Sequence, residues 1–291
     1  VVLVAVVLGA GFGKDSGSEQ SAAQRRPAPP PGHVTWILSG DDLALLRDGN
    51  AGLGRRFFDN RDTFVVGEVD GAQDMVPRGF RSIPTLSYTS LHAFEEDVHF
   101  GRIDPRIGAV IYDPEAWERT PAPEREAPVA AMRRFNRLAS RWGYGAIVAP
   151  GRDLALEGAA GCGKRSGEIL DQAYLRCGLI GGAGAAESFV IQAAPEELEV
   201  DKLHSLLRRA RLQLHAQSPQ ALGLASLSTA PPGADEPVWP IDLLRAARLE
   251  LAHVPGIMFN FTPATTEVAA SFLRDLEREG VVHGLRVARR D

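Results

Sequence analysis

The chain has 291 residues, 44% of them hydrophobic and 24% charged, with a formal net charge of −5 and a pI near 5.9. That is ordinary globular content, enough for one large domain with a sizeable core or two small ones. The acidic balance leaves no basic surface to neutralise phosphates and argues against nucleic acid as a partner; Arg208, Arg209 and Arg211 fall in a helical pattern among acids and read as a solvated face.

Residues 1–13, VVLVAVVLGAGFG, are uncharged and apolar, and residues 14–32 are polar and Pro-rich. This is the profile of a signal peptide or membrane-anchor remnant followed by a disordered linker. About 13 apolar residues are too few to span a bilayer. The expectation is a secreted or cell-surface domain at 33–291 that meets a membrane only through this segment. Gly9, Gly11 and Gly13 mimic a dinucleotide loop, but the GxGxG spacing and the linker after it do not fit one, so no cofactor is expected.

After the linker, apolar runs alternate with helical patterns. Strands are expected at 35–38, 63–69, 84–88, from 109, and at 145–150, 188–192, 221–228 and 256–261. A short helix at 41–47 should stop at Asp48-Gly49-Asn50, and Ser90 should cap the helix carrying Leu91, Phe94 and Val98. The clearest amphipathic helix is 128–142, where Val129, Met132, Phe135, Leu138 and Trp142 recur. Further helical patterns cover about 166–180, 196–215, 240–252 and 263–279. Only the segment between the second and third strands lacks helical periodicity. Eight such units predict a single-domain (β/α)8 barrel of parallel strands, with an open doubly wound sheet as the alternative.

The two cysteines, Cys162 and Cys177, are an even and sparse count in a chain with an export signal, which favours a disulfide over two buried thiols. No CxxC or HExxH accompanies them, the histidines form no ligand pattern, and no metal site is expected. A GxSxG motif is also missing.

The stretch AVIYDPEAWERTP, 109–121, ends a buried strand in two acids. Side chains two apart share a strand face, so Asp113 and Glu115 follow Ala109 and Ile111 on one side. Their Cα atoms would stand roughly 6–7 Å apart, close enough for each charge to oppose the other. In a barrel, catalytic groups come from C-terminal strand ends. That rim would also hold Tyr88, Trp117, Asp153, Gln192, Ser226 and Asn260, with Trp239 in the loop after the seventh strand. Acids to protonate a glycosidic oxygen, amides for hydroxyls and aromatics for ring faces suit a carbohydrate or another polar small molecule. Glu115 is the candidate general acid, Asp113 its charged partner and Asp153 a further carboxylate. The plainer alternative makes Asp113 a turn cap, and Gln192, Asn260 and the seventh-strand hydroxyls satisfied interior polar groups.

From Tyr88 to Phe261, the motifs YDPEAWERTP, APGRDL, YLRCGL, SFVIQAAPEE and LASLSTAPPG resemble exported bacterial proteins of glycoside-hydrolase-like (β/α)8 type. The resemblance implies a barrel fold and an extracellular setting. A more distant likeness is to the chitinase family, whose fourth strand ends in an Asp-x-Glu pair matched here by Asp113 and Glu115. The preceding run of aspartates is absent, Pro114 stands between the acids, and Gln192 occupies the place of that family's Tyr-Asp pair. A barrel that binds glycans without cleaving them is the alternative reading.

Overall fold

The computed structural model describes residues 33–68, 75–156 and 162–281. The apolar segment and linker read at 1–32, and Val69 at the end of the second strand pattern, lie outside them. Eight parallel strands close on themselves: β1 (Thr35–Ser39), β2 (Thr63–Gly67), β3 (Ile83–Tyr88), β4 (Ala109–Tyr112), β5 (Gly145–Val148), β6 (Ser188–Ile191), β7 (Leu222–Ser228) and β8 (Gly256–Asn260). β8 pairs with β1 through Thr35 and Gly256, so the expected barrel, not the open sheet, is formed.

Strand periodicity divides the core in two. Ile37, Phe64, Ile83, Ala109, Ile111, Ile147, Val190 and Leu224 form one buried cluster inside the barrel. Their neighbours, among them Trp36, Val65, Leu86, Val110, Tyr112, Val148 and Phe189, face outward into the larger cluster under the helices. Facing β4 and β5 in register, Ile111 pairs with Ile147 and Tyr112 with Val148.

The outer layer comprises α1 (Gly40–Phe58), α2 (Leu91–His99), α3 (Ala122–Glu126), α4 (Pro128–Arg141), α5 (Leu170–Arg176), α6 (Val200–Gln217), α7 (Pro240–Leu251) and α8 (Thr266–Arg278). Ser90 caps α2 as expected, its Oγ accepting from the Ala93 N–H at 3.2 Å. Residues 75–82, which precede β3, form no helix, in line with the missing periodicity.

Two expected boundaries differ. α1 does not stop at Asp48-Gly49-Asn50 but kinks there, with Asn50 at φ −148° and ψ 55°. The helix resumes because Phe57 and Phe58 bury against Trp36, with ring centroids 6.1 and 5.5 Å away; that burial outweighs the local breaker. The pattern at 166–180 is split at Gly178, whose φ of 67° ends the helix before a 3-10 turn at Leu179–Ala183.

Behind β4, the Glu124 carboxylate gathers four donors: the Tyr112 hydroxyl at 2.6 Å, the N–H groups of Leu91 at 2.7 Å and His92 at 3.1 Å, and the Ser90 hydroxyl at 3.3 Å. An anion at the first turn of α2 also complements the helix dipole. This ties α3 to α2 and β4 and so fixes both ends of the loop that carries Glu115.

Candidate active site

The loops leaving β4 and β5 are joined by backbone bonds. The Ala149 N–H donates to the Tyr112 carbonyl at 2.9 Å and the Gly151 N–H to the Pro114 carbonyl at 2.8 Å. Asp113 extends the register of β4, its N–H donating to the Tyr88 carbonyl at 2.9 Å, and therefore continues the inward row of Ala109 and Ile111. The Glu115 N–H donates to Thr120 Oγ1 at 3.1 Å, and the Ala116 N–H to Asp153 Oδ2 at 3.0 Å. A Cβ on Gly151 would collide with both Asp153 Oδ1 and the Glu115 side chain. The absence of a side chain there lets the two acids approach one another.

These acids border a cavity of about 710 Å³ at the C-terminal ends of the strands, lined by Glu115, Arg152, Asp153, Gln192, Ser226, Ser228, Asn260 and Phe261 among others. A ligand-sized hollow at this end is where barrel chemistry is expected. A second cavity, about 1060 Å³, lies by the N-terminal end of β3 and is lined by Arg47, Arg55, Arg78 and Arg106 with no carboxylate.

Burial, then the charges of Glu115 and Asp153, raise the Asp113 carboxyl to about 7, and Asp113 Oδ1 is enclosed with no hydrogen-bond partner. Glu115 is raised by burial and then by Asp153. Asp153 Oδ1 is likewise enclosed without a partner. The same-face acid pair read from the sequence thus becomes three coupled carboxyl groups. Among the described residues, no set of three His, Cys, Asp or Glu side chains is placed to hold a metal ion.

The other predicted residues divide by role. Gln192 and Asn260 line the cavity, with Gln192 Nε2 donating to the Ala149 carbonyl at 3.2 Å. Ser226 also lines it, but its Oγ accepts the N–H groups of Ala193 at 2.8 Å and Ala194 at 3.0 Å, which orients the β6 loop. Trp117, 40% exposed, stacks under Arg119 at 5.0 Å, and Trp239, 70% exposed, precedes α7; neither lines the cavity. Tyr88 is a correction. It shares the outward parity of Leu86, packs on Phe94 and donates its hydroxyl to Asp97 at 3.1 Å, under the helices and away from the mouth.

Arg152 is the lining residue that the sequence reading passed over. It is buried and bonds both Asp171 and, at 2.9 Å, Glu196. Its only local signal is its place between Gly151 and Asp153 in PGRD.

A disulfide joins Cys162 and Cys177, whose Cα atoms are 5.5 Å apart, and Arg176 braces it by bonding Glu168 and the Gly163 carbonyl. No described helix is long and apolar enough to cross a membrane.

No family model and no curated protein matches the chain. Among solved structures it is similar to a candidate alpha-L-fucosidase from Bacteroides thetaiotaomicron, at 11% identity and a TM-score of 0.53, over 89% of this chain and 99% of that one. It is also similar to the triosephosphate isomerase of Bartonella henselae, at 17% identity and a TM-score of 0.47, over 84% of this chain and 99% of that one. The first of these likenesses is one of fold.

Proposed function

We propose that this barrel is an exported glycoside-hydrolase-like enzyme that cleaves a glycosidic bond at its C-terminal mouth. Glu115 acts as general acid, since burial and the Asp153 charge keep it protonated to higher pH than a free glutamate. Asp153 is the second carboxylate, and Asp113 sits beneath both. One observation carries the reading: Glu115 and Asp153 flank Gly151 on the wall of a single open cavity that also presents Gln192 and Asn260. The disulfide supports an oxidising, extracytoplasmic setting. The Asp113-x-Glu115 spacing also matches the chitinase-type strand end, and the fold likeness to a candidate fucosidase is compatible with sugar chemistry.

A carbohydrate-binding barrel without turnover is the second reading. It is favoured by the bond from Ala116 to Asp153 Oδ2, which gives that acid a structural task.

The test is turnover on a panel of polysaccharides and glycoconjugates by the parent and by Glu115→Gln. Loss of roughly 10²–10⁴-fold with an unchanged melting temperature is expected. Equal rates in parent and variant would remove Glu115 from the chemistry, and glycan binding with no product from the parent would establish the second reading.

A further inference from the structure

The cavity of about 1060 Å³ by the N-terminal end of β3 shares no lining residue with the candidate mouth. A (β/α)8 barrel ordinarily lays a helix over the sheet between its second and third strands. Here residues 75–82 of that connection run in turns and irregular backbone, and the cavity opens between them and α1. The α1 wall carries Arg47, Ala51 and Arg55, spaced four apart and all lining the cavity despite the kink at Asn50. At helical rise they span about 12 Å, roughly two turns. The facing wall supplies Val76, Pro77, Arg78 and Phe80, and Arg106 closes one end. Val76 and Phe80 are half-buried on the core while the four arginines are exposed, so guanidinium groups rim an apolar floor. The Arg55 guanidinium stands 5.8 Å over the Phe80 ring, which aims its charge into the groove.

No Asp or Glu lines this cavity, in a chain whose net charge is −5. Arg106 is held by Asp104 at 2.6 Å. Asp59 answers both Arg55 at 3.2 Å and Arg81 at 3.4 Å, so one carboxylate serves two guanidinium groups. Arg47 and Arg78 make no ion pair among the described residues. A free phosphate or sulfate would answer this charge and leave the floor wet, and an anionic glycan would set hydroxyl groups against Val76, Pro77 and Phe80. An amphipathic acidic helix answers both features: its apolar stripe meets the floor, and its flanking carboxylates meet the arginine forks.

We propose that this groove docks an acidic amphipathic helix of a partner protein, seated beside α1 where a barrel crossover helix would lie, with Arg47 and Arg78 pairing with its carboxylates. About two turns make a small interface, and the contact is transient. The inference is independent of the reaction proposed at the mouth.

The experiment is fluorescence anisotropy with the full chain and labelled, helix-stapled peptides. One series carries Leu at helical spacing and Glu on the flanking positions; a second replaces Glu by Gln; a third scrambles the first so that no apolar face forms. Binding of the acidic amphipathic series about 10-fold tighter than either control is expected, weakening as salt is raised. Arg47→Glu with Arg78→Glu should cost about 10-fold or more, whereas Arg208→Glu with Arg211→Glu, an equal change of charge on α6, should leave affinity within about 2-fold. Should the charge-reversed groove variant not fold, Arg47→Gln with Arg78→Gln carries the same test. Equal binding of the Glu and Gln series, equal loss in both double variants, or binding of no peptide would overturn the proposal. Tighter binding of polygalacturonate or heparin, lost in the Arg47 and Arg78 variant, would overturn it in favour of an anionic polysaccharide. Self-association of the chain abolished by that variant would overturn it in favour of a second copy.

Discussion

Among the carboxyl groups that burial lifts out of their ordinary range, two sets are built in opposite ways. At the mouth, Asp113 and Glu115 are raised by burial and by neighbouring charge, while Glu115 and Asp153 border an open cavity. Outside the strands, Glu197 is raised to about 8 and Glu250 stands fully enclosed on the face of α7 that packs toward β7 and β8. Glu197 uses one oxygen to accept from the Ser228 N–H at 2.9 Å, and neither oxygen of Glu250 has a partner. Burial alone raises a carboxyl pKa. Of these two sets, the mouth alone couples that shift to a cavity bordered by the acids, and that coupling, not the shift, marks the candidate site.

The contrast can be broken most severely at Gly151. In Gly151→Ala the new methyl enters the space held by Asp153 Oδ1 and the Glu115 stem. A loss of about 10²-fold or more in turnover is expected with the barrel intact by circular dichroism, in keeping with the sensitivity of catalysis to small misplacements. Full activity would show that the approach of these two acids is immaterial. Asp153→Asn should cost on the order of 10²-fold in turnover while retaining an acceptor for the Ala116 N–H. A variant that melts lower yet turns over normally would assign Asp153 to structure.

The outer pair should speak through stability instead. A carboxyl with a folded pKa above its unfolded value favours folding fully below the unfolded value, and that contribution is lost as pH rises through the folded one. For Glu197 the window runs from the ordinary 4.5 up to about 8. Between pH 5 and pH 8, Glu197→Gln should therefore gain roughly 3 kcal/mol relative to the parent in denaturant titrations, with little change in turnover. A difference that does not vary with pH would contradict the burial of that charge. Smallest of all, Tyr88→Phe should cost about 1 kcal/mol through the lost bond to Asp97 and leave turnover unaltered. A large activity loss would return Tyr88 to the mouth.

The barrel was legible because each strand is a short apolar run closed by a turn residue, and because periodicity two places Asp113 in line with Ala109 and Ile111. The same rule, applied to β3, puts Tyr88 outside: it pairs in register with the outward Tyr112. Position at a strand end was visible in the sequence, but the facing of that end had to be counted. Arg152 was not legible, since its meaning depends on Asp171 and Glu196, 19 and 44 residues away. Nor was the continuation of α1 past Asn50, which depends on Trp36 across the core.

The most direct measurement is a carboxyl-carbon NMR titration of Asp113 in the parent and in Asp153→Asn. The account predicts a midpoint about 7 in the parent and a lower one once the Asp153 charge is gone. A midpoint near the ordinary aspartate value, unmoved by the substitution, would mean that the three acids do not share a mouth.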